Sequence, residues 1–542
     1  MKNRIKTILA IFMIGFIISA CVPKQADVAG KNESKPKNVI MLIGDGMGPE
    51  QIGLLLTYAR QAPNSVIIDR KTSFDRIMEQ GGIMGMSMTH ADNVLVVDSA
   101  ASGSQLASGQ FAGSEMIGLD KDGNSVETIV EKAIKAGKAT GLVSDTRVTH
   151  ATPAAFAAHQ PHRDLENEIA VDMINAGPDV MFGGGLRYFV PQEANDKNAP
   201  ILKELEKMTQ GAVKIKSKRK DSRNLLIEAQ QKGYALAFDK SQMESSKGKV
   251  LGLFTTSAMP DGIEVNRTKD DPKRTIPTLK EMSSKAIDIL SKNEKGFFLM
   301  IEAGLIDWAA HYNDTGLMLH EMLVMNDTLE YILNWAKDRD DTLIVVTADH
   351  TTGGFGFSYQ GKGIPEAKSL SGKSFQNRKF APEYNFGNPA VLDKIYNQDL
   401  SYSSIFLNKF DVLPKQEQTP ATLAKLVNQH TRFPITEEQA ARVLEQEDNP
   451  MFVEGHGYMG TKTVPKLLVK DEFFVYQTDD NRQNLLALEV ASAQSVVWNT
   501  GTHTSTPVIV FAKGSPKAMS PFGSILHHTQ VGRNLIDAVL NK

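Results

Sequence analysis

The chain has 542 residues, 41% of them hydrophobic and 23% charged, with 60 basic against 63 acidic side chains and a formal charge of -3. That length supports a large core, arranged as two to four domains or as one large α/β domain with insertions. The even charge excludes the basic footprint of a nucleic-acid binder. The single cysteine, Cys21, excludes an internal disulfide and a thiolate-rich metal centre, so any transition metal must be held by His, Asp and Glu.

In chain order, Lys2, Arg4 and Lys6 precede a short apolar run at 8–18 (ILAIFMIGFII), which ends in Ser19, Ala20 and Cys21. A positive start, an apolar middle too short to span a bilayer and a small-residue end mark residues 1–20 as a signal peptide. The ISAC ending resembles a bacterial lipobox, which implies that Cys21 becomes the lipidated first residue; the alternative is an ordinary secretory signal cut at another small residue. Residues 21–37, rich in Lys, Pro, Gly, Ser and Asn, read as a flexible tether holding a soluble domain off a membrane. The expected location is therefore the periplasm or cell envelope, with the lipid anchor in the outer membrane. No later stretch is long and apolar enough to span a bilayer.

From residue 38 onward, short apolar runs alternate with helical patterns. The runs are VIMLIG (39–44), GLVSD (141–145), FFLMIE (297–302), TLIVVTAD (342–349) and TPVIVFA (506–512). The helical patterns include Val126–Lys135, Leu279–Ser291, Leu317–Trp335 and Gln530–Leu540. This alternation predicts an α/β fold with a mostly parallel central sheet and helices on both faces, and in such sheets the active site lies beyond the carboxyl ends of the strands. No internal repeat is found.

The stretch VLVVDSAASGSQLASG (94–109) reads as a buried apolar run feeding a helix. Asp98 is a good N-cap, and Ser99 falls in the first turn, where unpaired backbone N–H groups favour an anion. A serine there is placed to meet a phosphate, although a capped packing helix of small residues has the same pattern.

Polar residues at the strand ends carry the chemistry. Asp45 lies in IGDGMG, whose glycines Gly44, Gly46 and Gly48 permit a tight turn. Glu302 ends its run, Asp307 follows five residues later, and His311 four beyond that, on one face if this piece is helical. Asp349 and His350 close the next strand, and His503 stands just before the last one. Each alone has a mundane reading as a polar residue after a strand. Together, four carboxylates, three histidines and a serine supply ligands for two or three divalent ions. Zinc takes mixed His and carboxylate sets and magnesium prefers oxygen.

The segments VVDSAAS, IGDGMG, THATPAAFAAH, IEAGLIDWAAH, VTADH and GTHTS resemble the motifs of the alkaline phosphatase family and fall in that family's order, over about 38–360 and from about 495 to the end. The resemblance implies a catalytic domain over 38–542, with a crown-like insertion at about 360–495 that covers the site or builds subunit contacts. It implies that Ser99 is the nucleophile that becomes phosphoserine, and that Arg163, in HQPHRD, clamps phosphate. Asp307, His311 and His503 would hold one zinc, and Asp45, Asp349 and His350 a second. Asp45, Thr152 and Glu302 would hold a magnesium. Phosphate monoesters of broad type and a homodimer are implied in the same way.

Two positions depart from one branch of that family. His150 stands where some members have an aspartate near the magnesium, and Trp308 where some have a lysine that reaches phosphate through water. Both are expected to support the ligands or face the substrate, and they leave the metal of the third site and the hold on product open.

A serine hydroxyl is a poor nucleophile near neutral pH, and the sequence has no G-x-S-x-G elbow and no obvious Ser-His-Asp arrangement, so its activation is expected from metal. A sulfatase needs a C/S-x-P-x-R setting, whereas Ser99 is followed by Ala100, Ala101 and Ser102. A related phosphodiesterase and a non-catalytic phosphate-binding lipoprotein are the competing readings. Between Tyr359 and Ser495 the metal motifs pause. That region holds a capped helical piece from Thr436 to Gln446, and the Gly-rich EGHGYMG (454–460), which reads as a surface turn or as a route for His456 or Tyr458 into the cleft.

Overall fold

The computed structural model describes residues 35–466 and 481–542; the signal peptide, Cys21 and the tether up to residue 34 lie outside the described residues. Ten strands build the central sheet: β1 (Asn38–Gly44), β2 (Ile83–Met88), β3 (Ala139–Arg147), β4 (Val180–Gly184), β5 (Ala235–Ala237), β6 (Val250–Leu253), β7 (Phe297–Ala303), β8 (Thr342–Ala348), β9 (Val508–Lys513) and β10 (Ile525–His527). Their order is β10-β2-β9-β8-β1-β7-β3-β4-β6-β5. Within this sheet only β9 runs against its neighbours, pairing antiparallel with β2 and β8.

The central strands β1, β7 and β8 are buried at every position, as a parallel sheet covered on both faces requires. Their side chains alternate between two cores. Ile40, Leu42, Leu299, Ile301, Ile344 and Val346 enter one, and Val39, Met41, Ile43, Phe298, Met300, Leu343 and Val345 the other. Each such side chain contributes roughly 1.5–3 kcal/mol on burial, so a one-residue slip of register is forbidden. The first core is closed by helices α1 (Pro49–Gln61) and α4 (Thr315–Trp335), the second by α2 (Ser99–Ser108) and α5 (His528–Leu540). The short helix α3 (Leu305–His311) leaves the end of β7 through Gly304.

All five predicted strands and all four predicted helices are present, with ends shifted by a few residues. The run Val94–Val97 is different. It forms no strand: Leu95 is 85% exposed, and only Val97 is buried, with Ala91, Ala101 and Ala112. The Val97 carbonyl accepts from His503 Nδ1 instead of from a neighbouring strand (2.9 Å). The segment serves as the connection that delivers Asp98 to the start of α2.

The 360–495 segment contains helices Ala390–Tyr396, Pro420–His430, Glu437–Leu444 and Asn481–Gln494. Leu392, Ile395, Tyr402 and Phe406 join the same core as α4. Thr436 caps its helix with a capping box to Gln439, as its sequence predicts.

Candidate active site

Strands β8, β1, β7 and β3 are neighbours, so the residues at their carboxyl ends meet. Asp45 follows β1 in a turn that requires Gly46: its φ is +67°, and a Cβ there would stand 2.7 Å from Asp307 Oδ1. Gly46 N and His350 N donate to Asp349 Oδ1 (3.1 and 2.8 Å), which ties the β1 turn to the β8 end. Helix α3 carries Asp307 and His311 on one face, with His311 Nε2 3.2 Å from Asp307 Oδ2. The short strand His503–Thr504 pairs with Thr351–Thr352, and this brings His503 beside His350, ring centroids 3.6 Å apart.

Three groups of ligand atoms converge, each within 4.8 Å: Asp307, His350 and His503; Asp45, Asp349 and His350; Asp45, His150 and Glu302. His311 adjoins the first group, its Nε2 3.1 Å from His503 Nε2. His311 Nδ1 faces Gly501 O (2.6 Å) and His503 Nδ1 faces Val97 O (2.9 Å). A carbonyl oxygen can only accept, so both rings carry their proton on Nδ1 and aim an Nε2 lone pair at the other and at Asp307. Lone pairs and a carboxylate that face one another at this distance are matched by a cation between them.

The same conclusion follows from the polar atoms around Asp45. Both Asp45 carboxylate oxygens, Asp349 Oδ2, Glu302 Oε1, Thr152 Oγ1 and His150 Nδ1 are buried with no hydrogen-bond partner among the described residues. Buried polar atoms are costly unless paired, and oxygen and imidazole donors in this number fit divalent ions. Burial, with Asp349, Asp307 and Glu302 close by, pushes the Asp45 carboxyl well above the usual range. Burial and Asp307 raise Asp349 to about 7. Burial also works to raise Asp307, but the imidazoles of His311, His503 and His350 outweigh it and hold that carboxyl well below its ordinary value. Burial lowers His503 to about 4 and holds His350 well below its ordinary value, which favours the neutral, ligating form of both rings.

Ser99 is buried at the first position of α2, with its Oγ 3.2 Å from His350 Nε2. Asp98 caps the helix through Ala100 N (2.8 Å), accepts Glu115 N (2.8 Å), and steadies Arg163 Nη1 (3.3 Å). Arg163 Nη2 lies 3.4 Å from His150 Nε2. His150, Arg163, Trp308, His311 and Tyr458 line one cleft of about 300 Å³. Trp308 stands edge-on to His150, with ring centroids 6.1 Å apart.

Asp45, Ser99, His150, Glu302, Asp307, His311, Asp349, His350 and His503 thus come together, with Arg163 and Trp308 in the adjoining cleft, and His150 stands closer to the ligand groups than its expected supporting position. The sequence reading missed several supports. Ser144 and Thr146 on β3 both hold Glu302 Oε2, Thr146 at 3.0 Å, which turns the other oxygen toward His150. Asp145 accepts Gly304 N at the start of α3 (2.6 Å). Ser102 Oγ and His528 Nε2 both donate to Asp349 O (2.7 and 2.8 Å). Asp145 stood in plain view at the end of a predicted strand, whereas His528 comes from a helix 179 residues beyond Asp349 and carries no sequence signal. The 454–460 segment is a surface turn with His456 exposed, yet it delivers Tyr458 to the cleft.

Among known proteins, residues 36–539 match the family described as alkaline phosphatase. The chain is 34% identical over 399 residues to alkaline phosphatase 4 of Bacillus subtilis (strain 168), covering 71% of this chain and 76% of that protein. Its fold is similar to that of Thermus thermophilus alkaline phosphatase, with a TM-score of 0.72 at 23% identity over 95% of each chain. It is also similar to a variant of TAB5 alkaline phosphatase with Mg bound in the M3 site, with a TM-score of 0.57 at 21% identity over 94% of this chain and 99% of that one.

Proposed function

The chain belongs to the alkaline phosphatase family and is a phosphate monoester hydrolase; from that premise we propose that it works through a phosphoserine on Ser99. The observation that carries this reading is the Ser99 hydroxyl, buried at a helix N-terminus and 3.2 Å from His350 Nε2 amid the unpartnered ligand atoms. Asp307, His311 and His503 would hold one zinc, Asp45, Asp349 and His350 a second, and Asp45, Thr152 and Glu302 a magnesium. When bound, such ions favour the ionised serine and stabilise the attacking and leaving oxygens of an in-line displacement. His150 adds a nitrogen to the third group, so metal analysis decides between magnesium and an ion that accepts imidazole there.

The chain's own residues do the rest. Ser99 Oγ attacks phosphorus from one side and the alcohol leaves from the other; water then attacks the phosphoserine and releases phosphate. Two inversions give retention at phosphorus. Arg163 offers a planar fork that takes two phosphoryl oxygens at once, and Asp98 keeps that fork aimed. The first N–H groups of α2 face the same charge. Since the recognised group is the phosphate, the reading extends to scavenging of phosphate from diverse monoesters.

Export and anchoring through Cys21 complete the proposal, supported by the basic, apolar and small-residue order of residues 2–21. Among the described residues no helix is long and apolar enough to cross a membrane. A homodimer is supported by an exposed apolar face at the sheet edge, where Met84, Met86 and Met88 alternate on β2 and Ile525 pairs with Met86.

The test is hydrolysis of a chromogenic monoester before and after chelation, with zinc and magnesium restored, beside Ser99→Ala. Multiple turnovers that stop on chelation, return with metal and collapse in the variant are expected. A folded, metal-loaded protein without turnover would overturn the reading.

A further inference from the structure

Arg187 reaches the cleft from an unusual turn after β4. Gly185 has a φ of +98°, and a Cβ on Gly184 would stand 1.9 Å from Ser257 O, so only glycines let the chain pass here. The following turn, Leu186–Tyr188, is pinned by Arg187 N to Thr256 O (3.3 Å) and by Lys218 N to Arg187 O (2.7 Å). The guanidinium lies over the Tyr188 ring, 5.0 Å from its centroid. The backbone and the ring thus fix where this charge sits.

The cleft's other two arginines already have carboxylate partners. Arg147 is paired through two bonds with Glu166 (2.8 and 3.0 Å), and Arg163 contacts Asp98. Arg187 lines the same cleft as Arg163 and Asp307, yet its side chain makes no ion pair or hydrogen bond with any described residue, and its Nε is buried without a partner. Of the carboxylates facing the cleft, Glu166 is held by Arg147 and Asp307 by the imidazoles, while Asp164 is 70% exposed and makes no ion pair with Arg187. A positioned, unpaired guanidinium in the cleft where Arg163 is proposed to take one phosphate matches a second anion.

Resting on the phosphatase reading above, we propose that Arg187 forms a second anion subsite, which selects monoesters whose alcohol carries another phosphate or a carboxylate. One end of such a substrate meets Ser99 and Arg163, and the other meets Arg187. The cleft, at about 300 Å³, is large enough for a small bifunctional substrate.

Three substrates of one chain length separate the sources of charge: butyl phosphate, 4-phosphooxybutanoate and butane-1,4-diyl bisphosphate, the last corrected for its two equivalent ends. With metal-loaded enzyme at low ionic strength, kcat/KM for the doubly anionic substrates should exceed that for butyl phosphate by about tenfold, mainly through KM, and Arg187→Gln should reduce that ratio to about one. Arg187→Lys should keep part of it, and in the unmodified enzyme added salt should shrink it, a readout independent of any variant's folding. A preference confined to the bisphosphate would narrow the subsite to phosphate. Equal ratios in the unmodified enzyme and Arg187→Gln, or no salt effect, would overturn the subsite while leaving the phosphatase intact. Failure to hydrolyse all three would overturn the phosphatase reading and this inference with it.

Discussion

Single side chains set the chemistry of this site through the nitrogen on which each imidazole carries its proton. Gly501 O and Val97 O oblige His311 and His503 to protonate Nδ1, leaving Nε2 to ligate. On the proposed phosphoserine route, Ser99→Ala should lower kcat by at least about 10³ while zinc content and the folded spectrum stay unchanged. Arg163→Ala should weaken phosphate binding, seen as a higher inhibition constant for inorganic phosphate, and Arg163→Lys should restore only part of it because a lysine lacks the planar fork. Gly46→Ala forces a side chain into a left-handed conformation against Asp307, which should cost roughly 1–2 kcal/mol in urea unfolding. That Asp307 and His311 share one helix face was legible from their i, i+4 spacing. The closeness of His150 to Asp45 and Glu302 was not, because it depends on how β3 and β7 lie side by side.

Elements explain why those side chains arrive together. The run Val94–Val97 shows how local patterning misleads: four consecutive apolar residues read as a buried run, but Leu95 and Val96 are exposed and only Val97 is buried. Conversely, β2 (IMGMSM) and the three-residue β5 and β10 gave no strand signal, since glycine and methionine dilute the pattern and three residues show no periodicity. Caps were more legible, because a capping box is written within four residues. In the helix Leu279–Leu290, Thr278 and Glu281 form such a box, and Arg274 and Lys240 also hold Glu281. Burial works to raise Glu281, but these partners outweigh it and lower its carboxyl from 4.5 to about 2. A depressed carboxyl stabilises the fold above its unfolded value and loses that contribution as pH falls toward 2. Between about pH 4.5 and 2 the unmodified protein should therefore lose stability faster than Glu281→Gln. The difference should be on the order of 1 kcal/mol in urea midpoints once solvent screening of this partly exposed group is allowed for.

Across the whole molecule, the sheet concentrates buried carboxylates at one end, and bound ions would offset the cost of their burial. Ligands that bind only the folded state stabilise it by mass action, about 4 kcal/mol at a thousandfold excess over Kd. Chelation should therefore lower the midpoint of thermal unfolding, and zinc with magnesium should restore it, as read by calorimetry. An unchanged midpoint would mean that the carboxylates are compensated in another way. The α/β class and the location of the site beyond the strand ends were legible from alternating apolar runs, whereas the delivery of Tyr458 to the cleft from within the 360–495 segment, whose Leu392, Ile395, Tyr402 and Phe406 share a core with α4, could not be read locally.

In the proposed mechanism phosphate passes through Ser99. Acid quenching during turnover of a chromogenic monoester, followed by mass analysis of the peptide that holds Ser99, tests it most directly. The predicted result is a phosphate adduct on Ser99 that is lost on chelation and absent from Ser99→Ala, which also loses turnover. Full turnover in Ser99→Ala, or an adduct on a different residue, would contradict the account.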